Sequence, residues 1–420
     1  MKIKKRVKFI SGVLSFILVF ILLISSVQRI TLKDIRDIRD IKNINLSNLS
    51  DLYSEQEIHA IPAYAAVPSV NSKSAVLIDT GSGDIIYELN AKQRLPMAST
   101  TKIMTAITAI ESGISLDTTV KITKEMTGAE GSSIYLYVNE KFKLIDLIYA
   151  LMLNSANDAA EAIAICIAGS VESFADMMNE KVRELNLKDT NFTNPHGLDS
   201  DMHYTTAYDL AKITAYALEN EIFDKISRTK ILMIYPKNDD GSDYSAGARY
   251  LRNHNKLLRL YDDIIGVKTG FTKRSGRCLV SAAEKNGTKL VAVTLNASND
   301  WNDHREMLNY GFDNYENIEL CEEHEYKFEI NIINGYKTNQ NGKKELINTV
   351  KCENITKESA SIPKYINRDE IEYKTELPLF VYAPVKKGDI IGRMLFIYKD
   401  QIIGYSVITA SEDIEVNIKK

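Results

Sequence analysis

Hydrophobic residues follow two different spacings along the chain, and the spacing separates predicted strands from predicted helices. Two β-rich runs flank turn residues within AVLIDTGSGDIIYEL at 75–89, which predicts a β-hairpin. A helix is predicted from about Ser99, because apolar side chains then recur at the interval of one helical face. These side chains are Ile103, Ile107 and Ile110. The chain therefore passes from strand to helix near residue 99.

A long helical region follows and then gives way to strands again. Residues 146–167 are apolar enough for a buried pair of helices, interrupted at 154–157 by small polar residues. Strand signals return in three segments, at 264–267, 278–282 and 290–295. Strands at both ends with helices between them predict an α+β fold. It would be an α/β sandwich whose sheet joins distant segments and carries a helical insertion.

The pattern changes once more after residue 318. Residues 326–333 alternate between apolar and polar positions, and the β-rich segments 377–381, 394–398 and 402–408 are separated by turn residues. This predicts a small all-β domain without a cluster of candidate catalytic groups. We therefore divide the chain into four parts. They are an N-terminal anchor or signal segment at 1–27, a stalk at 28–66, a mixed domain at 67–318 and the all-β domain at 319–420.

An almost unbroken apolar stretch covers residues 9–27 and follows five cations within positions 2–8. Its length is close to the roughly 20 residues that cross a bilayer as a helix. The sequence Ala63-Tyr64-Ala65 has the form of a signal-peptide cleavage site but lies far downstream. We expect an uncleaved membrane anchor rather than a cleaved signal. In either case the cations stay in the cytoplasm and the rest of the chain is exported.

Composition argues against several classes of function. The formal net charge is −4, and the cations at 2–8 leave the remainder still more acidic, which disfavours nucleic acid as a partner. The four cysteines form no CxxC pair and the six histidines are scattered, so we expect no metal and no cofactor. One disulfide is compatible with the sequence, but we expect buried single thiols. The cysteines are Cys166, Cys278, Cys321 and Cys352.

The first candidate for chemistry is the tetrad Ser99-Thr100-Thr101-Lys102. A serine hydroxyl is a weak nucleophile until a base removes its proton. On a helix, a lysine three residues later lies beside the serine oxygen. A dry pocket or a second cation lowers the pKa of the lysine amine, which can then act as that base. The N-terminus of the same helix offers backbone N–H groups to an oxyanion.

The tetrad is weak evidence alone, because the S-x-x-K pattern also occurs at 227–230 and 361–364. A solvated surface turn would explain any one of the three. Pro363 argues against a helix at 361–364, and the stretch at 227–230 is polar without an apolar face. Ser99 stands at the start of a helix with an apolar face, so we take Ser99 as the nucleophile.

Two further motifs follow Ser99 in the chain. Ser155-Ala156-Asn157 interrupts an apolar helical region, where small polar residues are costly unless they are used, although an inter-helix turn would also explain them. Lys268-Thr269-Gly270 follows an apolar strand segment. A lysine and a threonine beside a glycine that admits another backbone would suit a substrate carrying a carboxylate. The alternative for this motif is a solvated edge strand.

In this order, S-x-x-K, S-x-N and K-T-G resemble the motifs of the penicillin-binding-protein and serine β-lactamase superfamily. From about residue 70 to 318 the chain is similar to the low-molecular-weight D-alanyl-D-alanine carboxypeptidases. The similar segments are PMASTTKIMT at 96–105, GSS at 131–133, LNSANDAA at 153–160, NPHGL at 194–198 and KTGFT at 268–272. The resemblance implies a β-lactamase/transpeptidase-like fold for this region, followed by the all-β domain of the same enzymes.

The resemblance also implies roles for the first two motifs. Ser99 would form an acyl-ester, and Lys102 would be the general base that activates it. Ser155 would relay a proton toward the leaving amine, and Asn157 would hold the substrate amide. The reaction would be the loss of the terminal D-alanine from a peptidoglycan stem peptide, followed by hydrolysis of the acyl-enzyme. β-Lactams would acylate the same serine.

For the third motif, the resemblance implies substrate binding. Lys268 and Thr269 would bind the terminal carboxylate of the stem peptide, with Gly270 next to them in the binding strand. The backbone N–H groups of Ser99 and Phe271 would form the oxyanion hole. The implied partners are therefore the stem peptide, β-lactam inhibitors and, through residues 1–27, the membrane.

Three other functions share part of this pattern of motifs. An endopeptidase that cuts peptidoglycan cross-links needs the same residues and stays open. A β-lactamase with a glutamate-activated water would carry E-x-x-x-N, but Val182 stands four residues before Asn186. A β-lactam sensor or non-catalytic wall-binding module would not need all three motifs. We therefore expect a D-alanyl-D-alanine carboxypeptidase on the extracytoplasmic face of the bacterial cell membrane.

Overall fold

The computed structural model describes residues 60–63, 65–238, 240–243, 247–339 and 342–416, and the predicted segment 1–27 lies outside them. The strands are β1 (Ser72–Asp79), β2 (Ile85–Leu89), β3 (Thr119–Lys121), β4 (Lys141–Lys143), β5 (Ile231–Ile234), β6 (Arg249–Arg252), β7 (Ile264–Thr272), β8 (Gly276–Lys285), β9 (Thr288–Ala297), β10 (Tyr315–Cys321), β11 (Lys327–Thr338), β12 (Lys344–Asn354), β13 (Glu358–Pro363), β14 (Ile371–Glu376), β15 (Phe380–Tyr382), β16 (Ile390–Tyr398), β17 (Gln401–Ala410) and β18 (Glu415–Val416). The α-helices are α1 (Lys102–Ile110), α2 (Leu144–Leu153), α3 (Asn157–Ala168), α4 (Val171–Glu184), α5 (Ala207–Glu219), α6 (Glu221–Arg228), α7 (Leu257–Leu260) and α8 (Asp300–Asn314).

A five-stranded antiparallel sheet joins the two ends of the mixed domain, in the order β2-β1-β9-β8-β7. Along β1, Val76 and Ile78 enter the core shared with the helices, whereas Ala75 and Leu77 pack toward α8. Successive side chains of a strand point to opposite faces, so β1 is buried on both sides. The predicted hairpin, the three returning strands and the α+β fold class are confirmed.

The helices α1 to α7 are inserted between β2 and β7. The predicted helix pair is confirmed as α2 and α3, separated by residues 154–156. The helix predicted from Ser99 begins as α1 only at Lys102, after a 3₁₀ turn over Ala98–Thr101. In this turn the hydroxyl of Thr101 donates to the carbonyl of Ala98 at 2.8 Å, a local bond that favours the tighter turn.

The C-terminal region is the all-β domain that the sequence predicts. Strands β14-β16-β17-β12-β11-β15 form one sheet in that order, β18 pairs with β11, and β10 pairs with β13. Its core includes Ile330, Val350, Met394 and Ile408. In the described part of residues 319–416 the helical structure is one 3₁₀ turn at Arg368–Glu370. The division into four parts drawn from sequence stays a prediction.

The serines of the other two S-x-x-K tetrads have structural roles. Ser227 lies near the end of α6 and is fully buried, and its hydroxyl donates to the carbonyl of Ile265 at 2.9 Å. Ser361 is buried in β13, and its hydroxyl donates to Asp79 Oδ2 at 2.7 Å. A solvated surface turn therefore does not explain these two tetrads, because each serine hydroxyl satisfies a buried acceptor.

No helix within the described ranges is long and apolar enough to cross a membrane. All four cysteines are unpaired in the structure, and Cys278, Cys321 and Cys352 are buried. The expectation of buried single thiols holds for these three, whereas Cys166 is half-buried.

Candidate active site

The 3₁₀ turn before α1 brings the predicted nucleophile and base together. Lys102 Nζ lies 2.9 Å from Ser99 Oγ, and the lysine side chain is fully buried. Burial holds the pKa of Lys102 well below its ordinary value, and the nearby cation Lys268 lowers it further, while Asp158 acts in the opposite direction. A neutral amine beside the hydroxyl is the arrangement that a general base requires.

The break between α2 and α3 places the second motif against the same lysine. Asn157 is the first residue of α3, and its Oδ1 accepts a hydrogen bond from Lys102 Nζ at 2.7 Å. Its Nδ2 donates to the carbonyl of Glu130. Ser155 has a left-handed φ of 58° and its Oγ accepts from Lys268 Nζ at 3.0 Å. This motif therefore joins the two lysines.

Strand β7 carries the third motif along the other side of Ser99. Lys268 is buried, and burial lowers its pKa to about 7. Thr269 follows it half-buried, and the Phe271 side chain is exposed. Gly270 has no room for a side chain, because a Cβ there would lie 3.0 Å from the carbonyl oxygen of Met97 and 3.1 Å from the backbone nitrogen of Ser99. The predicted close approach of another backbone at this glycine is confirmed.

The structure thus places the predicted site residues in one place. Direct hydrogen bonds connect Lys102 to Ser99 and Asn157, and a separate hydrogen bond connects Lys268 to Ser155. Gly270 touches the Ser99 turn, and Thr269 and Phe271 are its neighbours on β7. Distant segments of the chain meet here, because α1 and α3 pack in the helical core while β7 forms the edge of the adjacent sheet.

Two groups at the site were not predicted from the sequence. The backbone carbonyl of His196 accepts from Lys102 Nζ at 2.5 Å, and a backbone atom leaves no mark in the sequence beyond the flanking NPHGL. Asp158 is buried and accepts from Ser133 Oγ at 2.6 Å and from the backbone of Leu136 at 3.0 Å. It fixes the loop beside Asn157. Its position directly after the second motif is the signal that could have identified it.

The histidines near the site are uncharged at neutral pH. Burial lowers the pKa of His196 to about 3 and that of His203 to about 4, and Lys102 adds to both effects. Among the residues that the structure describes, no group of three or more His, Cys, Asp or Glu side chains could hold a metal ion.

A serine hydroxyl hydrogen-bonded to a buried lysine, beside a strand of the five-stranded sheet, is an arrangement typical of serine acyl-transfer enzymes. The family model described as D-alanyl-D-alanine carboxypeptidase matches residues 62–299, and the chain belongs to this family. The resemblance carried by the three motifs is thereby confirmed, and so is the assignment as a serine-type hydrolase of this family.

Named relatives agree with this assignment. D-alanyl-D-alanine carboxypeptidase DacF of Bacillus subtilis is 30% identical over 353 residues, covering 82% of this chain and 86% of the relative. The structure of penicillin-binding protein 5 from Haemophilus influenzae matches with a TM-score of 0.71 and 28% identity, over 84% of this chain and 99% of that one. The Streptomyces K15 DD-transpeptidase matches with a TM-score of 0.56 and 31% identity, over 59% of this chain and 100% of its own.

Proposed function

We propose that the protein removes the terminal D-alanine from peptidoglycan stem peptides through an acyl-enzyme on Ser99. The observation that carries this proposal is the fully buried Lys102 amine, 2.9 Å from Ser99 Oγ, with its pKa held low. A serine so activated attacks an acyl carbon, and membership of the D-alanyl-D-alanine carboxypeptidase family supplies the substrate class.

Acylation begins when Lys102 Nζ takes the hydroxyl proton and Ser99 Oγ bonds to the carbonyl carbon before the last D-alanine. The negative charge that develops on the carbonyl oxygen faces the backbone N–H groups of Ser99 and Phe271. As the C–N bond breaks, Ser155 relays the proton from Lys102 to the leaving amine, and free D-alanine departs while Lys102 becomes neutral again. A water molecule then attacks the ester, which returns the proton to Ser99 and releases the shortened peptide.

The residues around Ser99 orient the substrate. Charged Lys268 and the hydroxyl of Thr269 bind the terminal carboxylate, next to Gly270, and Asn157 holds the substrate amide. β-Lactams acylate Ser99 because they present a strained amide beside a carboxylate. The apolar segment 9–27 holds the enzyme on the extracytoplasmic side of the membrane, where the stem peptide is found.

The test is product analysis with the full chain in detergent. We expect a stem pentapeptide to lose the mass of one D-alanine, and a fluorescent penicillin to label the chain. Ser99→Ala removes the nucleophile, so it should abolish both reactions while leaving the fold intact. Continued labelling of the variant would refute the assignment of Ser99. A cross-linked peptide dimer incubated in parallel reports endopeptidase cleavage, and faster cleavage of the dimer than of the pentapeptide would contradict the proposal.

A further inference from the structure

The amine of Lys102 has two neighbours that can only accept hydrogen bonds. These are Asn157 Oδ1 at 2.7 Å and the His196 carbonyl oxygen at 2.5 Å. The amide orientation of Asn157 is fixed, because its Nδ2 donates to the carbonyl of Glu130. A neutral amine has two hydrogens and one lone pair. With both hydrogens engaged by carbonyl oxygens, the lone pair is left to face the third neighbour, Ser99 Oγ at 2.9 Å.

The His196 carbonyl is held in place by the side chain of Asn194. Asn194 Oδ1 accepts from the backbone of Gly197 at 2.7 Å and of His196 at 3.3 Å, and its Nδ2 donates to the carbonyl of Leu198 at 3.0 Å. These bonds close a turn over residues 194–198, and the closed turn directs the carbonyl of His196 toward Lys102. An asparagine suits this task because it bonds the backbone just after itself.

The same turn is fixed to both sides of the nucleophile. Thr105, on α1 with Lys102, donates its hydroxyl to the carbonyl of Pro195 at 2.6 Å. Gly197 has a φ of 88°, and a Cβ there would lie only 1.9 Å from the carbonyl oxygen of Ala98, the residue before Ser99. The turn over 194–198 therefore contacts the segments of the base and the nucleophile together.

We propose that Asn194 is a positioning residue that, through the His196 carbonyl, orients the Lys102 lone pair toward Ser99. This inference rests on the proposed function, since it assigns a task within the same acylation step. Without the His196 acceptor, an N–H of the neutral amine is free to rotate toward Ser99, and the amine then cannot take the hydroxyl proton. Asn194 itself touches neither the substrate nor the reacting atoms.

The test compares two substitutions by the rate constant of acylation and by the fraction of chains labelled with a fluorescent penicillin. Asn194→Ala removes the acceptor, and we expect acylation to slow roughly 10- to 100-fold while every chain is still labelled. Asn194→Asp keeps an acceptor oxygen for Gly197 and His196, so it should recover most of the rate. Its added negative charge favours charged Lys102, so the rates are compared on the plateau of each pH profile.

Asn220→Ala is the matched control. Asn220 Oδ1 also accepts two backbone N–H groups, from Ile222 and Phe223, where it caps α6. It makes no hydrogen bond to the residues of the site, so this variant should lose stability but keep the wild-type acylation rate constant. Thr105→Val removes the bond to Pro195 with little change in side-chain shape, and it should also slow acylation. This variant keeps the inference testable if Asn194→Ala does not fold.

The measured rates and labelled fractions distinguish a failure of this inference from a failure of the proposed function. A purely structural role for Asn194 would lower the labelled fraction and leave the rate constant of the labelled chains unchanged, which would overturn the inference. Equal losses in Asn194→Ala and Asn194→Asp would overturn it too, because the acceptor would then be irrelevant. A wild-type acylation rate in Thr105→Val would count against it as well. Absence of labelling in the wild-type chain would instead remove the proposed function, and the inference with it.

Discussion

Two lysines share the buried space around Ser99, and the surroundings give them different tasks. The charge of Lys268 is one of the causes that keep the pKa of Lys102 low, after burial itself. Burial alone lowers the pKa of Lys268 to about 7, so near neutral pH a large share of this amine still carries its proton. One lysine is therefore suited to accept a proton and the other to bind a carboxylate, as expected where neighbouring groups titrate apart.

This division predicts the pH dependence of acylation. Above about pH 7 the free enzyme loses the Lys268 proton, so the second-order rate constant toward carboxylate-bearing substrates should fall there. Lys268→Arg keeps its charge at every accessible pH. We expect this variant to acylate more slowly at pH 7, because the larger guanidinium must fit a buried position, but to lose the alkaline decline. Stopped-flow acylation from pH 5 to 10 measures both profiles.

Lys268→Ala is the control for the same profile. Without a cation at this position, carboxylate binding is weak at every pH, so acylation should be slow throughout. An alkaline decline in Lys268→Arg at the same pH as in the wild type would assign that decline to another group. A wild-type rate in Lys268→Ala would remove Lys268 from the site.

At the scale of elements, periodicity and motif order were sufficient to predict the sheet, the helix pair and the residues that meet at the site. The local backbone at the site could not be predicted. Ala98 and Ser155 adopt left-handed φ values of 49° and 58°, which local preference disfavours for residues other than glycine and asparagine. Contacts with distant segments impose them. Such contacts also explain why Ser227 is buried. Its neighbours in the sequence are polar, but its hydroxyl donates to the carbonyl of Ile265 in a distant segment.

Two buried acids, Asp79 and Asp84, connect the β1–β2 hairpin to strand β13. Asp84 Oδ2 accepts from the backbone of Ser361 at 2.7 Å, and the Ser361 hydroxyl donates to Asp79. Burial raises the pKa of Asp84 to about 7, assisted by the charges of Asp79 and Glu358 and opposed by hydrogen bonds from Ser361 and Ser82. This carboxyl is therefore protonated in the folded protein at pH values where it is ionised in the unfolded chain.

The proton on Asp84 makes the stability of the folded chain depend on pH. Between the unfolded pKa near 3.8 and the folded pKa near 7, the folded chain binds the additional proton, so its stability falls as pH rises. Asp84→Asn cannot ionise, and its amide oxygen can still accept from Ser361. We expect the variant to gain on the order of 2–4 kcal/mol over the wild type between pH 4 and pH 8. Urea unfolding across this range measures the difference.

The control for Asp84→Asn is Asp369→Asn, which changes an exposed aspartate in the all-β domain. The stability difference of this variant from the wild type is measured over the same pH range and serves as the reference. If the curves for the wild type and Asp84→Asn stay parallel from pH 4 to 8, Asp84 does not titrate in the way inferred.

At the scale of the whole molecule, catalytic and supporting parts are separate in sequence. Every candidate site residue lies between Ser99 and Phe271, and the all-β domain contributes none of them. That domain is nevertheless connected to the sheet of the mixed domain by the buried contacts of Asp79 and Asp84 with Ser361. A supporting role for that domain stays a prediction, as does the membrane anchoring by residues 1–27.

The last prediction concerns that N-terminal sequence. At 1.5 Å per residue, a helix over the 19 residues 9–27 is about 28 Å long, close to the roughly 30 Å hydrocarbon core of a bilayer. We expect the natural protein to keep residues 1–27 and to remain in the membrane fraction after washing with high salt and carbonate, which release proteins held by charge alone. Replacing Leu18 and Leu22 by Arg should release the chain or block its export, because a charge at mid-membrane is costly. The matched variant Leu18→Ile with Leu22→Ile keeps the segment apolar and should stay membrane-bound. N-terminal sequencing that began near Ala66 would show a cleaved signal and contradict the anchor.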